Sequence, residues 1–177
     1  TLSSQSLWGN NQITESQKIL SSDLSSGDLL GFSVAIHDDY IIVGAPSDDT
    51  GSNSGQGSAY IFFYNGSHWV QQAKLTAADG NADDSFGNSV SIHGNYCIVG
   101  ANQDDNGNNN NQGSAYIFIR NGTTWTQQAK LTASDGASND LFGYSVSING
   151  DYCVISSPSD DIGATVDQGS AYIFQRT

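Results

Sequence analysis

One interval governs this chain. The string Gln-Gly-Ser-Ala-Tyr-Ile-Phe begins at Gln56, Gln112 and Gln168, 56 residues apart each time. Gln-Gln-Ala-Lys-Leu-Thr-Ala begins at Gln71 and again at Gln127. Lys18, Lys74 and Lys130 share one position of the period, Tyr40, Tyr96 and Tyr152 a second, and Gly31, Gly87 and Gly143 a third. The register runs without a gap from Lys18 onward and holds all five basic residues, since Arg120 and Arg176 also share a position. Such a chain folds into like units that each bury a face against the next.

Within a unit the pattern is that of short strands. Ser89–Ile92 and Tyr96–Ala101 flank the tight turn His93-Gly94-Asn95, and Asn149-Gly150-Asp151 repeats it, a composition that suits primed hairpin turns. A polar loop, 102–112, leads to Gly113–Arg120, then Asn121-Gly122, then Trp125–Leu131 with alternating apolar residues. The second and third strands are apolar on both faces, which predicts burial between layers. With 20 Gly and a single Glu, Glu15, helices are disfavoured. Four antiparallel strands at a fixed period predict an all-β fold of β-propeller blades.

Composition narrows the partners. Five basic against 18 acidic residues give a net charge of −13. That excludes a nucleic-acid surface as the default and disfavours an anionic membrane. No apolar run approaches the ~20 residues of a membrane helix, so no membrane insertion is expected. The chain begins at Thr1 and has no Met, which suggests processing or excision from a longer protein.

The motifs resemble a known family. Phe86-Gly87 and Phe142-Gly143, the following Ser-Val-x-Ile, and Val43-Gly44-Ala45-Pro46 are similar to FG-GAP repeats, the blades of integrin alpha-chain propellers and of many secreted proteins. The first repeat has Leu30-Gly31 instead of Phe-Gly. The resemblance implies an extracellular propeller module. Integrin blades bind calcium between their first two strands, where this chain has only short hairpins such as His37-Asp38-Asp39, so that site does not carry over.

The register divides the chain, read as a single array over 1–177, into a strand-D donor at 13–20 and repeats at 21–76, 77–132 and 133–177. Three four-stranded blades make a poor ring, because propellers typically use ~4–8. The last blade is expected to be completed by an N-terminal strand of another chain, through Ile13, Ile19 and Leu20 on one side and Tyr172 and Phe174 on the other. This predicts a head-to-tail homo-oligomer or homopolymer, a closed ring or a filament. A fragment of a longer array is the alternative.

Several residues are candidate sites. Asn65-Gly66-Ser67 and Asn121-Gly122-Thr123 are N-glycosylation sequons at equivalent turns. Ca²⁺, the one cofactor considered, takes hard oxygen ligands. Asp48, Asp49, Asp104, Asp105, Asp160 and Asp161 in the loop after the second strand could supply them, as could Asp79, Asp83 and Asp135 before the first. The same residues are also ordinary turn formers. Cys97 and Cys153 share a slot in neighbouring blades, too far apart for a disulfide, and read as buried thiols. His37 and His93 fall at hairpin tips and read as exposed turn residues, while Trp69 and Trp125 read as interblade packing rather than a sugar platform. No catalytic constellation is present in the sequence. The expected function is non-catalytic, structural or adhesive and extracellular, driven by self-assembly. The alternative is a propeller that binds a glycan or protein ligand.

Overall fold

The computed structural model describes residues 14–23 and 25–177. Among these the only regular elements are β-strands. They are β1 (Ser33–His37), β2 (Tyr40–Ala45), β3 (Ser58–Tyr64), β4 (Trp69–Leu75), β5 (Ser89–His93), β6 (Tyr96–Ala101), β7 (Ser114–Asn121), β8 (Thr124–Leu131), β9 (Val146–Asn149), β10 (Tyr152–Ser157) and β11 (Ser170–Gln175). They form three antiparallel sheets, ordered β1-β2-β3-β4, β5-β6-β7-β8 and β9-β10-β11. The expected blades are therefore present, and the third has three strands.

Turn chemistry fixes the hairpins. The first residue of each β1–β2-type turn is Asp38, Gly94 or Gly150, at φ of 50°, 59° and 59°. That left-handed backbone matches the twist of paired strands. The outer hairpins carry a bulge. Ile61 faces Ala73 while Phe62 faces Gln71, which leaves Gln72 unpaired, and Gln128 is left out in the same way between Ala129 and Gln127. A bulged residue is re-aimed out of the alternating pattern.

Burial follows the blade boundaries. Ile42, Ala59, Ile61 and Leu75 of the first blade share a core with Phe86, Val90, Ile92, Val99 and Phe118 of the second. Ile98 and Ala115 of the second share one with Phe142, Val146 and Ile155 of the third. The Phe of each Phe-Gly pair enters its own blade's aromatic cluster. Phe86 lies 5.5 Å from Tyr116 and 6.0 Å from Phe118, ring centre to ring centre. Phe142 stands 5.4 Å from Tyr172 and 6.1 Å from Phe174. Cys97 and Cys153 are buried free thiols, as expected, and burial pushes both upward in pKa.

Candidate functional site

The hairpin register sets Tyr60 opposite Lys74 and Tyr116 opposite Lys130. In the first blade the Lys74 ammonium lies 2.6 Å from Asp23 and 2.7 Å from Asp48. The Tyr60 hydroxyl lies 3.0 Å from the Asp23 carboxylate and 3.1 Å from that of Asp48. In the second blade Lys130 lies 2.8 Å from Asp79 and 2.7 Å from Asp104, and Tyr116 donates to Asp104 at 3.0 Å. Each ammonium also stands over its tyrosine ring, at 5.4 and 5.5 Å. Burial opposes the lysine charge, but the flanking carboxylates outweigh it and raise the pKa of both Lys74 and Lys130. Lys74 in turn holds Asp23 below the usual carboxylate range. Burial pushes Tyr60 up to about 12 and raises Tyr116 as well.

The third blade has the acids and the tyrosine of this clamp but not the lysine. The Tyr172 hydroxyl lies 2.9 Å from Asp135 and 3.0 Å from Asp160, and among the described residues no ammonium joins them.

These clamps account for Asp48, Asp79, Asp104, Asp135 and Asp160 of the acidic candidates. Asp49, Asp105 and Asp161 instead accept the backbone N–H of Gly55, Asn111 and Asp167 and close their own loops. Asp83 sits at φ 67° and its N–H donates to the Ser54 carbonyl. Among the described residues, no three His, Cys, Asp or Glu side chains are grouped to hold a metal ion. The sequence showed the lysine slot and the acidic loops separately, and only the Tyr–Lys register joins them.

The two ends of the array differ from its interior. Val34 and Ile36 on β1 are 66% and 64% exposed, whereas Val90 and Ile92, one period later, are 8% and 5% exposed between blades. At the far end Val154 and Ile173 are 42% and 74% exposed, whereas in the corresponding slots Ile42, Ile61 and Ile98 are fully buried and Ile117 is half-buried. One end thus presents the face that a preceding blade covers, and the other the face that a following blade covers.

A cavity of about 300 Å³ marks the missing fourth strand. Tyr96, Gln128 and Leu131 of the second blade line it, together with Ile148, Phe174 and Arg176 of the third. One period earlier the corresponding place is filled by Trp125, which donates its indole N–H to the bulged Gln72 at 3.0 Å and meets Tyr40 edge-on at 6.2 Å. Trp125 is therefore an interblade packing residue. Trp69 is half-buried beside Val43, Tyr60 and Phe62.

A family model described as FG-GAP repeat matches residues 13–62, 69–118 and 125–174. The chain belongs to the FG-GAP repeat family. A search among curated proteins finds no match to it. Each FG-GAP unit begins in the slot of a blade's fourth strand and ends in the third strand of the next blade. The matched units are thus out of step with the sheets, which is why a strand-D sequence precedes the first blade and the last sheet stops at three strands.

The described part of that leading FG-GAP segment lies on the first blade as the residues around the end of β4 lie on the second. Ser22 N–H donates to Gln71 at 2.8 Å, as Ala78 N–H donates to Gln127 at 2.9 Å. Ile19 packs against the cluster of Val43, Tyr60 and Phe62, while Leu20 is exposed. Ile13 lies outside the described residues. Residues 14–20 form no strand, and among the described residues no fourth strand completes the third blade. Tyr172 and Phe174 on β11 pack into their own blade beside Phe142.

Asn65 and Asn121 are exposed at equivalent corners, and Asn65 closes its turn by accepting the N–H groups of Ser67 and His68 at 3.0 Å each. The histidines differ from the expectation of exposed turn residues. The rings of His37 and His93 meet across the blade boundary, centres 4.5 Å apart and tilted by 59°, and each accepts a backbone N–H from the next blade's turn, Gly94 or Gly150. One hairpin tip lies directly on the next, which a single repeat read alone does not reveal.

Proposed function

We propose that this FG-GAP chain is a non-catalytic, extracellular structural module that assembles head to tail with copies of itself. One observation carries this: the apolar slots exposed at the two ends are the same slots that are buried at the first internal blade boundary and buried or half-buried at the second. The internal boundary is thus a template for contact between copies. Leaving the β11 edge and the apolar ends open would favour uncontrolled association. A further copy covers both at once, and its N-terminal strand supplies the missing fourth strand by β-augmentation. Such a contact is heterologous, so it closes into a ring or continues as a filament according to its rotation. The acidic rim keeps such an assembly soluble. The sequon turns at Asn65 and Asn121 are exposed at equivalent hairpin corners, where glycans would add to that polar rim.

Light scattering with negative-stain imaging of the 177-residue chain tests this. Two-chain particles indicate a closed six-bladed ring, and long fibres indicate an open assembly. A chain that stays single at sub-millimolar concentration would contradict the proposal.

A further inference from the structure

We propose that Lys18 of a second copy is the key to the third blade: its ammonium seats between Asp135 and Asp160 beside Tyr172. This rests on the head-to-tail assembly proposed above and names the contact that fixes its register.

The two complete clamps define what the third requires. In both, a lysine of the fourth strand stands opposite the tyrosine of the third strand and between two carboxylates. The third blade reproduces the tyrosine between both carboxylates, and there the Ser170 hydroxyl also donates to Asp160, on the oxygen that faces Tyr172. Asp160 is 5% exposed, much as Asp48 is at 4%. A carboxylate so placed is costly without a cationic partner.

Lys18 is the matching group. It occupies the period slot of Lys74 and Lys130. It is exposed and forms no ion pair among the described residues. Transferring the β3–β4 register by whole periods sets Lys18 opposite Tyr172 and Ile19 opposite Ala171. Within one chain the two halves stand at opposite ends of the array, with the second blade packed between the first and the third. The residues after Lys18 are already held on the first blade in the position that follows β4 on the second, through Ser22 to Gln71 and Asp23 to Lys74. A second copy therefore presents its first blade and its Lys18 together.

The ammonium also selects register. Sliding the donor strand by one residue would turn Lys18 to the other face and set uncharged Gln17 or Ile19 against Asp160 in its place. On a chain of net charge −13, a specific cation at the contact sets which of many acidic surfaces the strand joins.

The test is a double-mutant cycle on assembly, read by sedimentation of wild type, K18M, D135N/D160N and the combined variant. Far-ultraviolet circular dichroism at low concentration checks that each folds, and K18M changes only an exposed side chain. The expected result is that wild type assembles and that K18M raises the concentration needed by about tenfold or more. The combined variant is then no weaker than the worse of its parents, because one interaction has been removed twice. Wild type that assembles while K18M assembles equally well, or strictly additive losses, would overturn the lysine key and leave head-to-tail assembly standing. Wild type that stays single would overturn both. If it stays single yet its third blade binds a peptide of residues 124–131, which carries Trp125 and Lys130, the seat belongs to a further blade and not to a second copy.

Discussion

Gly44 and Gly87 meet across the first blade boundary with no space for a side chain between them. A Cβ on Gly44 would stand 2.0 Å from the Gly87 carbonyl oxygen, and the pair Gly100 and Gly143 repeats this at the second boundary, also at 2.0 Å. The same carbonyls accept the hydroxyls of Ser33 and Ser89, at 2.8 Å each. The Gly of Phe-Gly and the Gly that ends the second strand, before Ala45 or Ala101, are therefore two halves of one joint, which lets backbone touch backbone between blades.

Gly44→Ala should force the first two blades apart, because the obstructing atom is backbone and cannot rotate away. A loss of about 3 kcal/mol or more is expected in denaturant melts. Gly66→Ala is the comparison. Gly66 has φ 92° but open space around it, so only backbone strain of about 1 kcal/mol is expected there. Equal losses at the two sites would contradict the joint.

Lys130→Met should cost about 3 kcal/mol, because it leaves the buried Asp104 without its cation. Adding Asp104→Asn should recover part of this, since the uncompensated charge is then gone. If the double variant lost the sum of both single effects, the clamp would not be a coupled unit.

The acid side of the stability profile has two opposing parts. Burial raises Asp84 to about 6, and it raises Asp140 too. A folded-state value above the unfolded one means that stability from these groups is present at low pH and lost as pH rises through about 4 to 6. Asp23 and Asp79 act the other way. Lys74 lowers Asp23, and at Asp79 burial works upward but Lys130 outweighs it. Their stabilisation is present above about pH 4 and lost as pH falls through their folded-state values. Thermal stability is therefore expected to peak at about pH 4 and to decline as the pH rises toward about 6. Asp84→Asn should raise stability at pH 7 by about 1–3 kcal/mol and have no such effect at pH 4. The amide oxygen still accepts the Asn81 N–H that Asp84 takes at 2.6 Å. A destabilised variant at pH 7 would contradict this.

Ile36→Asp and Ile92→Asp place one substitution in one slot, at the open end and inside the array. Ile92 is buried between blades, so the carboxylate there should destabilise by about 4 kcal/mol or more. Ile36→Asp should leave the melt of dilute protein within about 0.5 kcal/mol of wild type and abolish assembly. Assembly that survives Ile36→Asp would contradict the role given to this face.

Much of this was legible in the sequence because the period is strict. Four strand slots, their turns and the unmatched strand-D segment all follow from positions 56 residues apart. Blade packing was legible too, as alternation at Trp125 and two-sided burial at Ile98 and Val99. What escaped lies between repeats. Gln72 reaches Trp125 only because a bulge turns it out of its strand. His37 is half-buried where the ring of His93 and the Gly94 N–H meet it from the next blade. Lys74 joins two acids that are 25 residues apart in sequence, Asp23 and Asp48, and no spacing rule pairs them. Contacts of this kind depend on how one sheet stacks on the next, which a repeat read singly does not encode.

The measurement that bears most directly on strand donation is amide hydrogen exchange along β11, Ser170–Gln175, followed as protein concentration is raised. Among the described residues of the single chain β11 is paired only with β10, which leaves its outward amides without a strand partner. Donation of a fourth strand should bring their protection up to that of the corresponding amides in β7, in step with the rise in particle mass. Outward amides that stay unprotected while the mass rises would contradict it.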